Sequence, residues 1–287
     1  MARVITRSGI ACDLAHPYVS SLFDASSYVR TSTSFTAIYS PGNSETFYGT
    51  GLTYSASGQF AGGTATSFRG VADGKVAFQI SGFKVAATAI TAAASTVSTT
   101  DDLALMKMIL AGNDTVLGNS LDDVIHGYAG HDVLKGSGGD DRVWGDAGDD
   151  TMVGGSGADY LSGGAGRDKL RGGLGFDKLI GGTDADSFIF DDHETGASKT
   201  TADYILDFRG RLGDKLDLRL VDANVKASGD QAFSFIGTHG FTGAGQIRYE
   251  KTSTDTWVYL NTDADTAAEA VIRLKGSFDL AKAWLLL

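Results

Sequence analysis

Aspartate recurs at every ninth position, through Asp114, Asp123, Asp132, Asp141, Asp150, Asp159, Asp168, Asp177 and Asp186, without a slip of register. Neither the 3.6-residue period of a helix nor the two-residue period of a strand generates such a repeat, so the segment is built from a larger unit. In this frame the first position is glycine at 118, 127, 136, 145, 154, 163, 172 and 181, and the fourth is usually glycine. The eighth is always apolar: Val116, Ile125, Leu134, Val143, Met152, Leu161, Leu170, Leu179 and Phe188. A unit this short cannot bury its one apolar residue alone, so stacking of neighbours is required.

The clearest copies are Gly154-Gly155-Ser156-Gly157-Ala158-Asp159-Tyr160-Leu161-Ser162 and the nonapeptide that follows it. They resemble the G-G-x-G-x-D-x-U-x unit of RTX (repeats-in-toxin) calcium-binding proteins, and the resemblance implies an all-β fold, a right-handed parallel β-roll. The residues support that geometry. Six glycine-rich residues reach the positive φ of a tight turn and bring carbonyls close to an ion. The other three form a short strand with its middle side chain inward. Two nonapeptides then make one flattened turn.

Carboxylate and carbonyl oxygens suit a hard cation with six to eight oxygen ligands, which selects Ca²⁺ over metals that prefer Cys or His. The candidate ligands are the nine period aspartates with backbone groups of the turn glycines. These glycines are Gly127, Gly136, Gly145, Gly154, Gly163 and Gly172 at first positions, and Gly130, Gly139, Gly148, Gly157, Gly166 and Gly175 at fourth positions. Residues 109–189 hold 14 Asp and no Glu against 6 Lys plus Arg, a net −8 of the chain's −11. Such crowding calls for cations to neutralise it. Leu121 and Asp184 replace fourth-position glycines, so the terminal turns are expected to bind weakly. With each ion between a loop and the loop one full turn on, roughly four to seven Ca²⁺ are expected.

After the repeats, Asp203-Tyr204-Ile205-Leu206-Asp207-Phe208 and Gly213-Asp214-Lys215-Leu216-Asp217-Leu218 resemble the passage that follows the roll in serralysin-type secreted proteins. That resemblance implies closure of the solenoid and further acidic ligands at Asp203, Asp207, Asp214 and Asp217. Residues 233–236, 246–249, 257–260 and 270–274 alternate as strands of a sandwich or sheet. Asn261, Asp263 and Asp265 have the spacing of a calcium loop, but Thr266 and Ile272 occupy the positions where an EF-hand needs Gly and Glu.

Residues 1–98 read as a β-rich domain, with strands at 36–39, 46–48, 51–54 and 76–80 and a hairpin turn at Asp73-Gly74. A short helix over 99–111, started by Thr99 or Thr100 with Asp101 and Asp102, is expected to cap the roll at 109–190. A C-terminal β domain follows at 191–287. Arg3 and Arg7 precede an interrupted apolar run, so no secretory signal peptide is expected, nor any membrane-spanning helix. The resemblance implies export from a Gram-negative bacterium by a type I ABC-transporter. The tail from Gly276 to Leu287, an aspartate before a short apolar run, is similar to the C-terminal signal such systems read, although an ordinary buried last strand reads the same way.

Catalytic patterns are missing. The histidines at 16, 126, 131, 193 and 239 make no H-E-x-x-H, and no G-x-S-x-G elbow occurs. Cys12 near His16 has no third partner, and one cysteine forms no intrachain disulfide. Fifth-position His131, Arg167, Asp122, Asp140 and Asp149 are expected to point outward without being ligands. Scattered cations on a −11 chain exclude nucleic acid. The expectation is a non-enzymatic calcium-binding protein that folds outside the cell in a structural, matrix or host-interaction role, with self-association or a cell-surface partner. Two other classes stay open. One is a self-assembling surface or fibre protein using aromatic patches around Phe35, Phe47, Tyr48 and Phe60. The other is a hydrolase with an unrecognised site in residues 1–98.

Overall fold

The computed structural model describes residues 3–6, 27–31, 34–40, 43–54, 60–72, 75–86, 107–226, 231–263 and 265–287. Six strands precede the repeats: β1 (Arg3–Thr6), β2 (Ser27–Arg30), β3 (Ser34–Ser40), β4 (Asn43–Tyr54), β5 (Phe60–Ala72) and β6 (Lys75–Ala86). The repeats give β7 (Thr115–Leu117), β8 (Val124–His126), β9 (Val133–Gly138), β10 (Arg142–Ala147), β11 (Thr151–Ser156), β12 (Tyr160–Ala165), β13 (Lys169–Leu174), β14 (Lys178–Thr183) and β15 (Ser187–Asp191). Then come β16 (Asp203–Ile205), β17 (Lys215–Leu220), β18 (Ser234–Phe235), β19 (Gln246–Lys251), β20 (Asp255–Asn261), β21 (Ala270–Lys275) and β22 (Leu285–Leu286).

Consecutive repeat strands go to opposite sheets, and each pairs in parallel with the strand one full turn on. The eighth-position residues therefore stack into two facing ladders. Val116, Leu134, Met152, Leu170, Phe188 and Leu216 line one sheet, and Ile125, Val143, Leu161, Leu179, Ile205 and Leu274 the other. All twelve are fully buried. Each contributes roughly 1.5–3 kcal/mol on burial, the main stabilising term of an otherwise glycine-rich segment.

The strands outrun the expected three residues. From β9 to β14 they are six long, and pairing continues into the turn, with Gly155 opposite Gly173 and Ser156 opposite Leu174. Successive turns superpose closely enough for the turn backbone to join the ladder.

The flanks are continuations of the roll's sheets. β1 pairs in parallel with β7 and antiparallel with β6, so the antiparallel β2–β6 array extends the first sheet to thirteen strands. β21 pairs in parallel with β16 and antiparallel with β20, carrying the second sheet to nine. The expected boundaries at residues 98 and 191 thus do not interrupt either sheet. β5 was not foreseen. Ala72 stands opposite Lys75 across the expected turn, while Asp73 and Gly74 lie outside the described residues.

Of the capping helix, Lys107–Ile109 is helical, with Ile109 and Leu110 buried in the common core; its expected start at 99–102 lies outside the described residues. Cys12 and His16 also lie outside them. The apolar tail forms β22, which pairs with β17 and buries Leu280 and Leu285. Among the described residues no helix is long and apolar enough to cross a membrane.

Leu161→Ala should destabilise the calcium-loaded roll by about 2–5 kcal/mol, because it opens a cavity between Val143 and Leu179. The neighbouring Ser162→Ala, on the outer face, should be nearly neutral; urea denaturation would measure both.

Candidate metal centre

Each sixth-position aspartate sits where a turn enters the next strand, buried to 2 % exposure or less from Asp114 to Asp186. Its Oδ1 accepts a hydrogen bond from the backbone N–H of the aspartate one turn earlier. Asp132 accepts from Asp114, Asp141 from Asp123 and Asp150 from Asp132 at 2.7 Å, and Asp159, Asp168, Asp177 and Asp186 continue the series at 2.8–2.9 Å. The sequence-predicted carboxylates thus form two ladders, one along each edge of the flattened solenoid.

Among the described residues, the second oxygen of seven of these carboxylates has no partner, whereas Asp123 Oδ2 accepts from Asn119 N–H at 2.8 Å. Oδ2 of Asp132, Asp141, Asp150, Asp159, Asp168, Asp177 and Asp186 is buried without a hydrogen bond. A buried oxygen of this kind costs free energy until something positive approaches it. First-position glycines mark the place. A Cβ on Gly145 would collide with Asp150 Oδ2 and the carbonyl of Gly163, and one on Gly136 with Asp141 Oδ2 and the carbonyl of Gly154. An orphaned carboxylate oxygen and a carbonyl oxygen from the next turn therefore converge beside Gly127, Gly136, Gly145, Gly154 and Gly163. This donor set fits a hard cation.

Burial first, and the neighbouring carboxylates after it, raise these acids out of the usual range. Asp132, Asp159 and Asp168 are pushed up to about 6, and Asp141, Asp150, Asp177 and Asp186 to about 7.

The ladder outlives the nine-residue period. Asp177 N–H donates to Asp203 Oδ1 at 3.0 Å, 26 residues on, and Asp186 N–H to Asp214 Oδ1 at 3.1 Å, 28 residues on. Burial raises Asp203 to about 8. Asp207 takes another role, its two oxygens accepting from the N–H groups of Gly181 and Gly182 at 2.9 Å. Asp217 stands apart from both ladders. Arg219 donates to its two oxygens at 2.8 and 2.6 Å and holds the acid below its usual value, so the expected ligand role does not fit it. Oxygens of Asp263, Asp265 and Glu269 lie within 4.8 Å of one another. Nearby groups already engage them: Asp263 and Asp265 accept amides of Asp265 and Ala267 at 2.9 and 2.7 Å, and Lys226 reaches Asp263 at 3.4 Å.

Two features escaped sequence reasoning. Fifth-position side chains form an outer ladder of opposite polarity. Asn113 Oδ1 accepts from His131 N–H, His131 Nδ1 from Asp149 N–H and Asp149 Oδ1 from Arg167 N–H, at 2.7–2.9 Å. Asp122 and Asp140 serve Asp140 and Ala158 in the same way at 2.8 Å. The recurrence of short polar acceptors at this position was the available signal. Second-position Tyr128, Ser137 and Asp146 also keep the positive φ of the glycines they replace, at 67°, 92° and 69°.

An acid whose folded pKa lies above its ordinary value near 4 takes up a proton on folding. Without metal, this stabilisation is fully present below pH ~4 and lost as the pH rises through 6–8. The metal-stripped chain should therefore show more β circular dichroism at pH 5 than at pH 8, and saturating calcium should remove the difference; equal metal-free spectra would contradict the carboxylate burial. Gly145→Ala should cost the calcium-loaded state about 1–3 kcal/mol by overpacking the converging oxygens, read as a higher calcium midpoint.

The RTX calcium-binding nonapeptide repeat family matches the chain in four copies, over residues 110–143, 117–152, 126–161 and 162–192. No curated protein matches it in a sequence comparison. Among solved structures, the chain is similar to the AlgE6R3 subunit of the Azotobacter vinelandii mannuronan C5-epimerase, at 24% identity over 54% of this chain and 72% of that one, with a TM-score of 0.34. The family matches lie on the carboxylate ladders themselves, so residues 110–192 are RTX calcium-binding nonapeptide repeats.

Proposed function

We propose that this chain is a secreted, non-enzymatic protein whose roll is assembled by calcium outside the cell, where it serves a structural, matrix or host-interaction role. The observation that carries this reading is the run of buried carboxylates whose second oxygens no protein group satisfies. The sixth-position aspartates from Asp132 to Asp186, with Asp203 and Asp214, would supply carboxylate ligands, and the first- and fourth-position glycines would supply carbonyls. Ca²⁺ contributes positive charge and a many-oxygen coordination preference, both of which the edges lack.

The chain's residues do the rest. Oδ1 holds the preceding turn's N–H, which fixes the carboxylate so that Oδ2 faces inward along the edge. Glycine leaves room for that oxygen. Without a counter-charge, mutual repulsion and desolvation oppose compaction of the Gly- and Asp-rich segment, which is then disordered and suited to passage through a type I transporter. At millimolar external calcium, sites of roughly 10⁻⁴–10⁻³ M affinity would fill, and binding free energy becomes folding free energy. Nine copies supply roughly four to seven ions between successive turns. The placement of the tail in β22 accords with export before folding, since a folded tail is committed to the first sheet.

Circular dichroism during calcium titration should show a cooperative gain of β structure, and an unchanged spectrum after complete chelation would overturn the reading. Asp150→Asn should move the midpoint to higher calcium, whereas Asp149→Asn, which keeps an acceptor for Arg167 N–H, should leave it near the parent value.

A further inference from the structure

The outer face of the second sheet carries an order that calcium binding does not use. Strand pairing puts Arg142 beside Tyr160, Tyr160 beside Lys178, Lys178 beside Tyr204 and Tyr204 beside Arg273. Cation and aromatic ring alternate strand by strand across β10, β12, β14, β16 and β21. With neighbouring strands about 4.8 Å apart, groups of one kind recur at about 9.6 Å along the solenoid axis. A groove of about 430 Å³ opens on this row, lined by Arg142, Trp144, Tyr160, Phe176 and Lys178.

The aromatic groups are held in place. Trp144 stacks on His126 at 4.7 Å and 7°, and lies 5.8 Å from Tyr160. The cations beside the groove are open to a ligand: Arg142 and Lys178 are exposed and, among the described residues, make no ion pair. The far end of the row is closed, since Arg273 pairs with Asp255 while it covers Tyr204 at 4.0 Å, and on the first sheet Arg171 is tied to Asp191 and Glu194. Two unpaired cations two strands apart, with a ring between them and an open groove in front, form a built surface with no structural use.

We propose that this row binds an extended acidic polysaccharide, a chain of uronic acid rings lying along the solenoid axis. The C–H faces of pyranose rings stack on aromatic rings, and carboxylates on alternate rings of an extended chain fall at the spacing of Arg142 and Lys178. An extended peptide repeats its same-side groups at roughly 6.6–6.8 Å and falls out of step. A nucleic acid strand requires clustered cations, which a chain of net charge −11 does not offer here. Asp140, Asp141 and Asp159 line the same groove, so an anionic ligand approaches only when cations offset the edge charge. In that respect the proposal rests on the calcium reading.

The test is calorimetric titration of the full chain, saturated with calcium, with hexagalacturonate, beside far-UV circular dichroism. Binding is expected with hexagalacturonate and not with neutral cellohexaose. The double variant Arg142→Gln/Lys178→Gln should weaken it about tenfold while its calcium titration stays that of the parent. Lys135→Gln/Lys169→Gln, on the outer face of the first sheet, should leave affinity unchanged. A fully folded chain that ignores hexagalacturonate overturns this proposal alone, whereas failure to fold on calcium strikes the calcium reading. Equal weakening by both double variants, equal binding of cellohexaose, or displacement by polyglutamate or single-stranded DNA would each overturn it too, by showing general attraction in place of a sugar site.

Discussion

The structure depends on one bond repeated along both edges, a backbone N–H donated to the first oxygen of a carboxylate one turn later. It fixes the distance between turns and turns each aspartate inward, so that the second oxygen is left buried and unsatisfied. A buried carboxylate in that state needs a proton or a cation. From this need follow the glycines, since a Cβ at Gly136 or Gly145 would fill the space the oxygens converge on. The strict spacing of the apolar ladders follows as well, because each eighth-position residue is carried two places beyond a carboxylate whose height is already set.

How far the sequence could be read depended on whether a feature kept the period. Val116 to Phe188 and Asp114 to Asp186 were legible because spacing alone places them on the same face of successive turns. Asp203 and Asp214 continue the ladders at offsets of 26 and 28, where no periodicity points to them; only the family-like passage around them did. The same passage misled at Asp217, because Arg219, two residues along on the same strand, takes its charge. Alternation in Trp257–Leu260 announces a strand and cannot name its partner, so the joining of β21 to β16 came only from tertiary structure. β5 was missed because its Gly62, Gly63 and small polar residues show no apolar alternation. Nothing in the sequence signals that the backbone at Tyr128, Ser137 and Asp146 keeps the positive φ of glycine.

Stacking makes the roll nearly one-dimensional, each turn touching only the turns beside it, so stability is close to a sum of local terms. Irregularity is tolerated where it lengthens a loop. Residues 191–202 stretch a turn without breaking the registers of Leu179 with Ile205 and Phe188 with Leu216. The outer faces are free of this constraint, and the eighteen-residue turn writes any choice made there as a row: Arg142, Tyr160 and Lys178 are neighbours in space because they are one turn apart in sequence.

β22 covers the edge of β17 with two residues, Leu285 opposite Leu216 and Leu286 opposite Asp217. Beyond β17 the first sheet would otherwise end in open backbone donors and acceptors over a buried apolar interior, which is a template for any other extended segment. The seal spans only two residue pairs and is applied by a segment far along the chain from the strand it protects. Whether that edge of the sheet is closed or adhesive therefore rests on a handful of backbone atoms.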